Sequence, residues 1–381
     1  MNNLNGLIPT VYEALDTVSR ELVGAIPAST LDTSAKTAKD QPIRFPIVPK
    51  ATASDVKPGQ MPPSSYDGEK IGFRDLMITK ERSTFMKWTG NEILSISQLR
   101  SPIVRNQIAQ RIRTLTNEIE RDLCNVAVAG ALSVGNTIGT AGTAPFASDI
   151  KPLTLGLKKF EDSGAPTSNL QAVLNTEAGM NLRNLEKLQS YADSGDRNLL
   201  RQGVLGDLMG FRIRESGGLR PHEKGDGTGY TVNASEGIKA GATEIVVDGG
   251  SAGGLNAGDI IGFTGYTSKY VVAENVDMGG LLIKLTTPLT EDIADDTVIT
   301  YEGNYNPSIL FDSSALWCAT RLIANPEGGD MAKDVQTVTD PVTGITLLVS
   351  LYKEYHQERV EIGLAWGVGS VKPENSYCLL G

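Results

Sequence analysis

The 381-residue chain is poor in the residues that most often carry chemistry. It holds three cysteines, Cys124, Cys318 and Cys378, and two histidines, His222 and His356. An odd number of cysteines at such wide spacings makes no disulfide framework, and so few thiols and imidazoles build no zinc site. Reduced thiols in a cytosolic protein are the expected state. Positive charge is in deficit too: 45 Asp and Glu face 35 Lys and Arg, a net charge of -10. That argues against a protein held on nucleic acid by phosphate contacts, although it leaves room for a local basic patch. No apolar run reaches the ~20 residues that a membrane-spanning helix needs. The N-terminus lacks the basic segment and apolar core of a signal peptide, so the product is expected in the cytosol when made. Hydrophobic residues make up 40% of the chain, enough at this length for two or three domains or one large discontinuous one.

Texture changes several times along the chain. Ile8, Val11, Tyr12, Leu15, Val18, Leu22 and Val23 recur at helical spacing, and Pro27 with the Ser/Thr/Ala-rich run after it is expected to end that helix. From Gln41 to about Arg82 the sequence is extended: QPIRFPIVPK, the turn-rich KPGQMPPSSYDG, then EKIGFRDLMITKERS. Prolines inside a strand pattern point to an edge or a projecting hairpin. Ser101 and Pro102 mark a helix start, followed by Ile108, Ile112, Leu115, Ile119, Leu123 and Val126. Carried to Leu132 this predicts about 30 residues and roughly 45 Å of helix. Its first part has one wet face, with Arg111, Arg113, Glu118 and Arg121; its end, CNVAVAGAL, is small on every side and is expected to be packed all round. The stripe is too short for a sustained coiled coil.

An α/β pattern follows the Gly/Thr/Ala loop GNTIGTAGTAPFAS. Ser148 is the expected cap of a helix with Ile150, Leu153, Leu157 and Phe160 inward, ended by Gly164 and Pro166. Leu170 to Asn175 predicts a strand, a helix starts at Thr176, and Leu205 to Ser216 predicts a turn and a strand. From about Asp226 to Asn304, apolar runs of four to six residues alternate with Gly, Asn and Asp, which predicts an inserted antiparallel barrel or sandwich. ILFDSSALWCATRLI then reads as strand followed by helix, capped at Asp312, Ser313 or Ser314, and the last forty residues as closing strands.

No catalytic constellation emerges. GGSAGGLNAG resembles a phosphate-cradling loop, but the strand DIIGF follows it where a helix is required, so a hairpin connection is expected; GDGTG at Gly225 to Gly229 lacks both flanking elements. His222 falls in a loop and His356 on a strand surface, with no nucleophile signature nearby. Asp295 with Asp296, and Glu118 with Asp122, are expected as surface acids without convergent partners. The sequon Asn233-Ala234-Ser235 carries no weight in a cytosolic protein. Catalytic, cofactor-binding and metal-ligating residues are therefore all expected to be none, and no enzymatic activity is assigned.

The stretches LIPTVYEALDTVSREL, GQMPPSSYDGEKIGF, IAQRIRTLTNEIERDLCNVAVAGA, AVLNTEAGMNL and NAGDIIGFTG stand in an order that resembles tailed-bacteriophage major capsid proteins of the Hong Kong 97-type fold. Among them the chain is most similar to the coat proteins of short-tailed Salmonella phages, which carry an inserted β-barrel. The resemblance implies an α+β fold divided into an N-terminal arm with an amphipathic helix (1–40), an extended E-loop hairpin (41–90), the spine helix and first part of the P domain (91–147), the first part of the A domain (148–225), the inserted β domain (226–305), the second part of the A domain (306–335) and closing strands of both (336–381). It implies a subunit that assembles with itself as hexamers and pentamers into an icosahedral procapsid and mature head in the host bacterial cytoplasm, enclosing double-stranded DNA without sequence-specific binding. The further partners it implies are a scaffolding protein, expected to be separate because the chain opens directly on the arm helix, a portal protein and a decoration protein. Arm and hairpin are expected to be ordered by neighbouring subunits. Lys50, Lys57 and Lys70 of the hairpin read as surface lysines. A tail-tube or baseplate protein is the alternative; it would lack the long helix.

Overall fold

The computed structural model describes residues 4–17, 23–33, 42–47, 58–59, 71–95, 102–189, 206–250, 253–266, 268–277, 279, 281–286, 288–324, 331–341 and 343–381. Near the N-terminus the apolar stripe forms α1 (Leu4–Thr17), which buries Val11, Ala14 and Leu15 and leaves Tyr12 exposed. Val18 and Leu22 lie outside the described residues. Pro27 does not end a helix as expected. It sits inside a short one, α2 (Ala25–Ala28), where its missing N–H is one that no helical carbonyl would receive. The next residues form a strand, β1 (Thr30–Asp32).

Two short strands, β2 (Pro42–Ile47) and β3 (Gly72–Met77), pair antiparallel from Pro42↔Met77 to Ile47↔Gly72. They are the base of the expected hairpin; its tip lies largely outside the described residues. The chain continues through β4 (Lys80–Thr89) and a short helix, α3 (Gly90–Ser95), into α4 (Pro102–Ser133), 32 residues long. That is about 48 Å of helix. Then come β5 (Thr137–Ile138), α5 (Lys151–Ser163), β6 (Leu170–Leu174), α6 (Thr176–Asn184), α7 (Glu186–Gln189), β7 (Asp207–Leu208) and β8 (Phe211–Glu215). The start of α5 is held by Asp149, whose Oδ1 accepts from the Lys151 N–H at 3.0 Å, and not by Ser148. Six short strands follow: β9 (Thr231–Val232), β10 (Glu244–Asp248), β11 (Ile260–Phe263), β12 (Lys269–Val271), β13 (Leu282–Lys284) and β14 (Ile299–Tyr301). The chain closes with β15 (Ser308–Asp312), β16 (Leu316–Arg321), β17 (Asp334–Thr339), β18 (Thr346–Glu354), β19 (Gln357–Ser370) and β20 (Ser376–Leu379).

One six-stranded sheet runs β1-β16-β19-β18-β17, with β4 along the other edge of β19. The expected helix after Ser314 is β16, a strand. Asp312 accepts hydrogen bonds from the Ser314 backbone and hydroxyl as a cap would, but LWCATR is buried almost throughout, and a fully buried strand has no alternation to distinguish it from a helix. The long α4 lies across this sheet. Val104, Ile108, Ile112, Leu115, Ile119 and Leu123 meet Val349, Val360, Ile362, Leu364 and Trp366 in one core, which also takes in Val11, Ala14 and Leu15 of α1. Helix α1, expected to be ordered by neighbouring subunits, thus shares the core of its own chain.

On the opposite face of the sheet sits the hairpin base. Leu76 and Ile78 pack with Ala319 and Ala365, joined by Ile43, Phe45 and Trp317, and the Phe45 and Trp317 rings lie 4.5 Å apart. Gly367 and Gly369 of β19 make the seat. A Cβ on Gly367 would lie 2.0 Å from the Met77 carbonyl oxygen, and one on Gly369 would lie 2.7 Å from Leu76 Cδ1. The outer side of the hairpin, with Phe73 and Met77, stays exposed.

A second six-stranded sheet runs β5-β20-β15-β6-β8-β7, covered by α5 and α6 through Leu153, Phe160, Ala178 and Leu182. The closing strands thus divide between the two sheets. Between β8 and β15, the short strands form two three-stranded sheets, β13-β10-β9 and β12-β11-β14. Single bridges Thr231↔Val298 and Val272↔Leu285 join them at both edges. Strands β10 and β11, expected as a hairpin, lie in different sheets. Tyr230, Val232, Ile245, Val247, Ile261, Phe263, Tyr270, Ile283 and Ile299 fill a core of their own, separate from the other clusters.

Candidate functional site

The residues considered for chemistry do not converge. His222 marks the neck through which the chain enters and leaves the segment between β8 and β15. Its backbone pairs with Tyr305 at 2.8 and 3.2 Å, the rings lie 4.9 Å apart, and Nε2 meets Asp259 Oδ1 at 2.8 Å. Asp259, 2% exposed, also accepts from the backbone N–H groups of Gly225 and Asn256. That carboxylate ties the neck loop down; nothing about it is free to react. Burial raises the Tyr305 phenol well above its ordinary range. The two glycine-rich segments answer each other here, since the Gly227 N–H donates to the Gly254 carbonyl at 2.8 Å. Their glycines serve close backbone packing, and no phosphate is needed to explain them.

His356 lies in the tight turn between β18 and β19 with φ 55°, beside the exposed Tyr355, and not on a strand surface. Asp295 accepts from the Ala234 N–H, and Asp296 adopts φ 56°. The three cysteines are buried, with no disulfide. Burial pushes the thiols of Cys318 and Cys378 up to about 12, and that of Cys124 higher still. None is a poised nucleophile. Among the described residues, no group of three His, Cys, Asp or Glu side chains could hold a metal ion.

Glu118 and Asp122 are not partnerless surface acids. Lys80 Nζ lies 2.8 Å from Asp122, Arg82 Nε lies 3.2 Å from Glu118, and the Trp366 indole N–H donates to Asp122 at 2.9 Å. This network joins α4 to β4 and β19. A more deeply placed acid, Glu120, went unnoticed because a charged residue on a helix reads as wet; it is 2% exposed. The start of α3 was missed as well, although the T-x-x-E spacing of Thr89 and Glu92 signals it. Glu92 accepts from the Thr89 N–H and hydroxyl at 2.7 and 2.9 Å, and those hydrogen bonds hold its carboxyl below the usual range.

The end of α4 is only partly enclosed, against expectation. Ala131 and Leu132 are buried against Ile260, Val271, Tyr305, Cys378 and Leu380, whereas Asn125 and Ala129 are exposed. Asn125 and Ala129 line a cleft of about 360 Å³ whose other wall is Ala257, Gly258, Val272 and Ala273. A second cleft of about 480 Å³ lies between Ser133, Val134 and Gly135 and Ser268, Lys269 and Tyr270. The exposed apolar residues include Ile71, Phe73 and Met77 at the hairpin base and Phe85 on β4.

No protein-family model matches the chain, and no curated protein matches it. Among solved structures, a chain of the capsid of the cyanophage P-SCSP1u is similar over 96% of this chain and 89% of its own, at 13% identity and a TM-score of 0.50. The chain has the fold of phage capsid proteins. A chain of Mycobacterium phage Che8 is similar over 96% of this chain and 90% of its own, at 14% identity and a TM-score of 0.48. One from a virus-like particle of Pyrococcus furiosus covers 100% of both chains at 9% identity and 0.45.

Proposed function

We propose that this is a major capsid protein, a non-enzymatic virion component that assembles with itself as hexamers and pentamers into an icosahedral procapsid and then the mature head. The observation that carries the reading is the likeness to the cyanophage capsid chain across almost the whole length of both. The long helix laid across a sheet, with a hairpin base seated on the opposite face, supports it and speaks against a tail-tube or baseplate protein. The enclosed cargo is double-stranded DNA held without sequence-specific binding. Assembly in the host cytoplasm would use a separate scaffolding protein and a portal, and a decoration protein fits the same scheme.

The finer reading is a subunit of the Salmonella type. The pairings β13-β10-β9 and β14-β11-β12, linked by Thr231↔Val298 and Val272↔Leu285, trace a closed ring of six strands around one core. That ring supports an inserted β-barrel at about residues 226–305, between the two parts of an A domain. Closure leaves no exposed edges to pair at random. Expression with the scaffolding gene of the same phage, followed by negative-stain microscopy, tests the function. Closed shells of uniform diameter are expected; tubes, or monomers that persist with scaffold present, would overturn it.

A further inference from the structure

A single buried carboxylate ties the N-terminal segment to the long helix. Glu120 lies on the buried side of α4, where the stripe requires an apolar residue. Its Oε1 accepts from the backbone N–H groups of Gly24 at 2.8 Å and Ala25 at 2.7 Å and from the Ser216 hydroxyl at 2.6 Å; its Oε2 accepts from the Ile26 N–H at 2.9 Å. Three successive backbone donors and one hydroxyl thus converge on one carboxyl group. The slot is narrow: a Cβ on Gly24 would lie 2.5 Å from the Glu215 carbonyl oxygen. Residues 24–28 therefore run as a strap between α4 and the end of β8, with α1 before it and β1 after it.

We propose that Glu120 is a latch: its carboxylate, and not the packing of α1, holds residues 24–28 in the slot, and opening it releases the arm from its own subunit. The physical reason is asymmetry. Pulling the strap away strips the Glu120 carboxyl of three of its four donors at once, which costs more than losing any one hydrogen bond. Losing an apolar contact of α1 leaves nothing so unfavourable behind. The arm is then a strap that its own subunit keeps until the latch opens. This concerns the single subunit and stands whether or not shells form.

Amide hydrogen exchange on the full-length, unassembled protein tests it with three variants. Glu120→Gln keeps the shape but turns an NH2 toward the backbone donors; exchange at residues 24–28 and in α1 should rise about tenfold or more, with β18 and β19 unchanged. Leu15→Ala, which loosens α1 alone, should speed exchange in α1 and leave 24–28 protected. Ser216→Ala removes one donor of four and should speed 24–26 by about threefold. The latch is overturned if Glu120→Gln leaves 24–28 unchanged, or if Leu15→Ala frees them equally. Should Glu120→Gln fail to fold, Ser216→Ala decides alone, and no change at 24–26 rejects the proposal.

Discussion

The body of the molecule and the segment between β8 and β15 are held together by different means. In the body, strands of nine and fourteen residues, β18 and β19, lie under a 32-residue helix, and charges are nearly balanced. Residues 226–305 contain twelve Asp and Glu and three Lys, a net of -9, against 33 acidic and 32 basic residues elsewhere. Almost all of the chain's net charge of -10 thus sits in one fifth of its length. Strands there have two to five residues, and the core is separate. The lesson is that the segment has a core of its own, working against its own repulsion, and meets the body at the neck and through Ile260 and Val271, which pack on the end of α4.

The sharpest way to break that comparison is a pair of core truncations. Trp366→Ala in β19 and Phe263→Ala in β11 each remove a side chain no more than 2% exposed and should each cost about 3–5 kcal/mol. Their reach should differ. Trp366→Ala should lower exchange protection in α4, β16 and β18, and Phe263→Ala only in β9 to β14. Cys318 lies in the core under α4, away from residues 226–305, so labelling of its thiol at mild pH reports body opening alone. It should accelerate on the order of a hundredfold in Trp366→Ala and stay unchanged in Phe263→Ala. Equal acceleration in both would mean one cooperative unit.

Gly367→Ala is the next largest effect. The added methyl meets the Met77 carbonyl oxygen at 2.0 Å, so the hairpin base must lift, at a cost of about 1–3 kcal/mol. Fluorescence of Trp317, which Phe45 covers, should report the lifting. A native spectrum and melting temperature would show that the seat is soft.

What could be read beforehand follows the range of the forces involved. The long helix was legible from its stripe, and α6 from its start at Thr176; Asn175, read as the end of the strand, is its cap, accepting from the Ala178 N–H at 2.7 Å. The composition of residues 226–305 announced short strands. Their pairing order was not legible, because bridges such as Ile238↔Ile293 join residues far apart in sequence. Strand β16 was hidden by burial on both faces, and the seat at Gly367 and Gly369 by residues that leave no hydrophobic signal. Glu120 was hidden most completely: its partners are three backbone groups and a hydroxyl about 95 residues away on either side, which no local pattern encodes.

A smaller effect tests the charge contrast directly. Raising ionic strength from about 0.05 to about 0.5 M shortens the screening length severalfold. It should raise the midpoint for exchange in β9 to β14 by a few degrees and leave the body, with its balanced charge, unmoved. Equal shifts in both would locate the repulsion elsewhere.

The smallest expected effect lies at the end of the segment, at Asp292. The Ala240 N–H, first, and Lys239 beside it hold this exposed carboxyl below its usual range, with contacts of 2.8 and 2.9 Å. Because the folded value is the lower one, the stabilisation is present above the unfolded value and is lost as the pH falls through the folded one. Neutralising the other acids relieves repulsion over the same interval and works in the opposite direction. The two are separated by comparing wild type with Asp292→Asn, in which the relief is nearly common to both. Wild type should be the more stable at about pH 6, and the difference should shrink as the pH falls below the usual carboxylate range. A difference that persists at the acid end would assign the effect of Asp292 to its hydrogen-bonded shape and not to its charge.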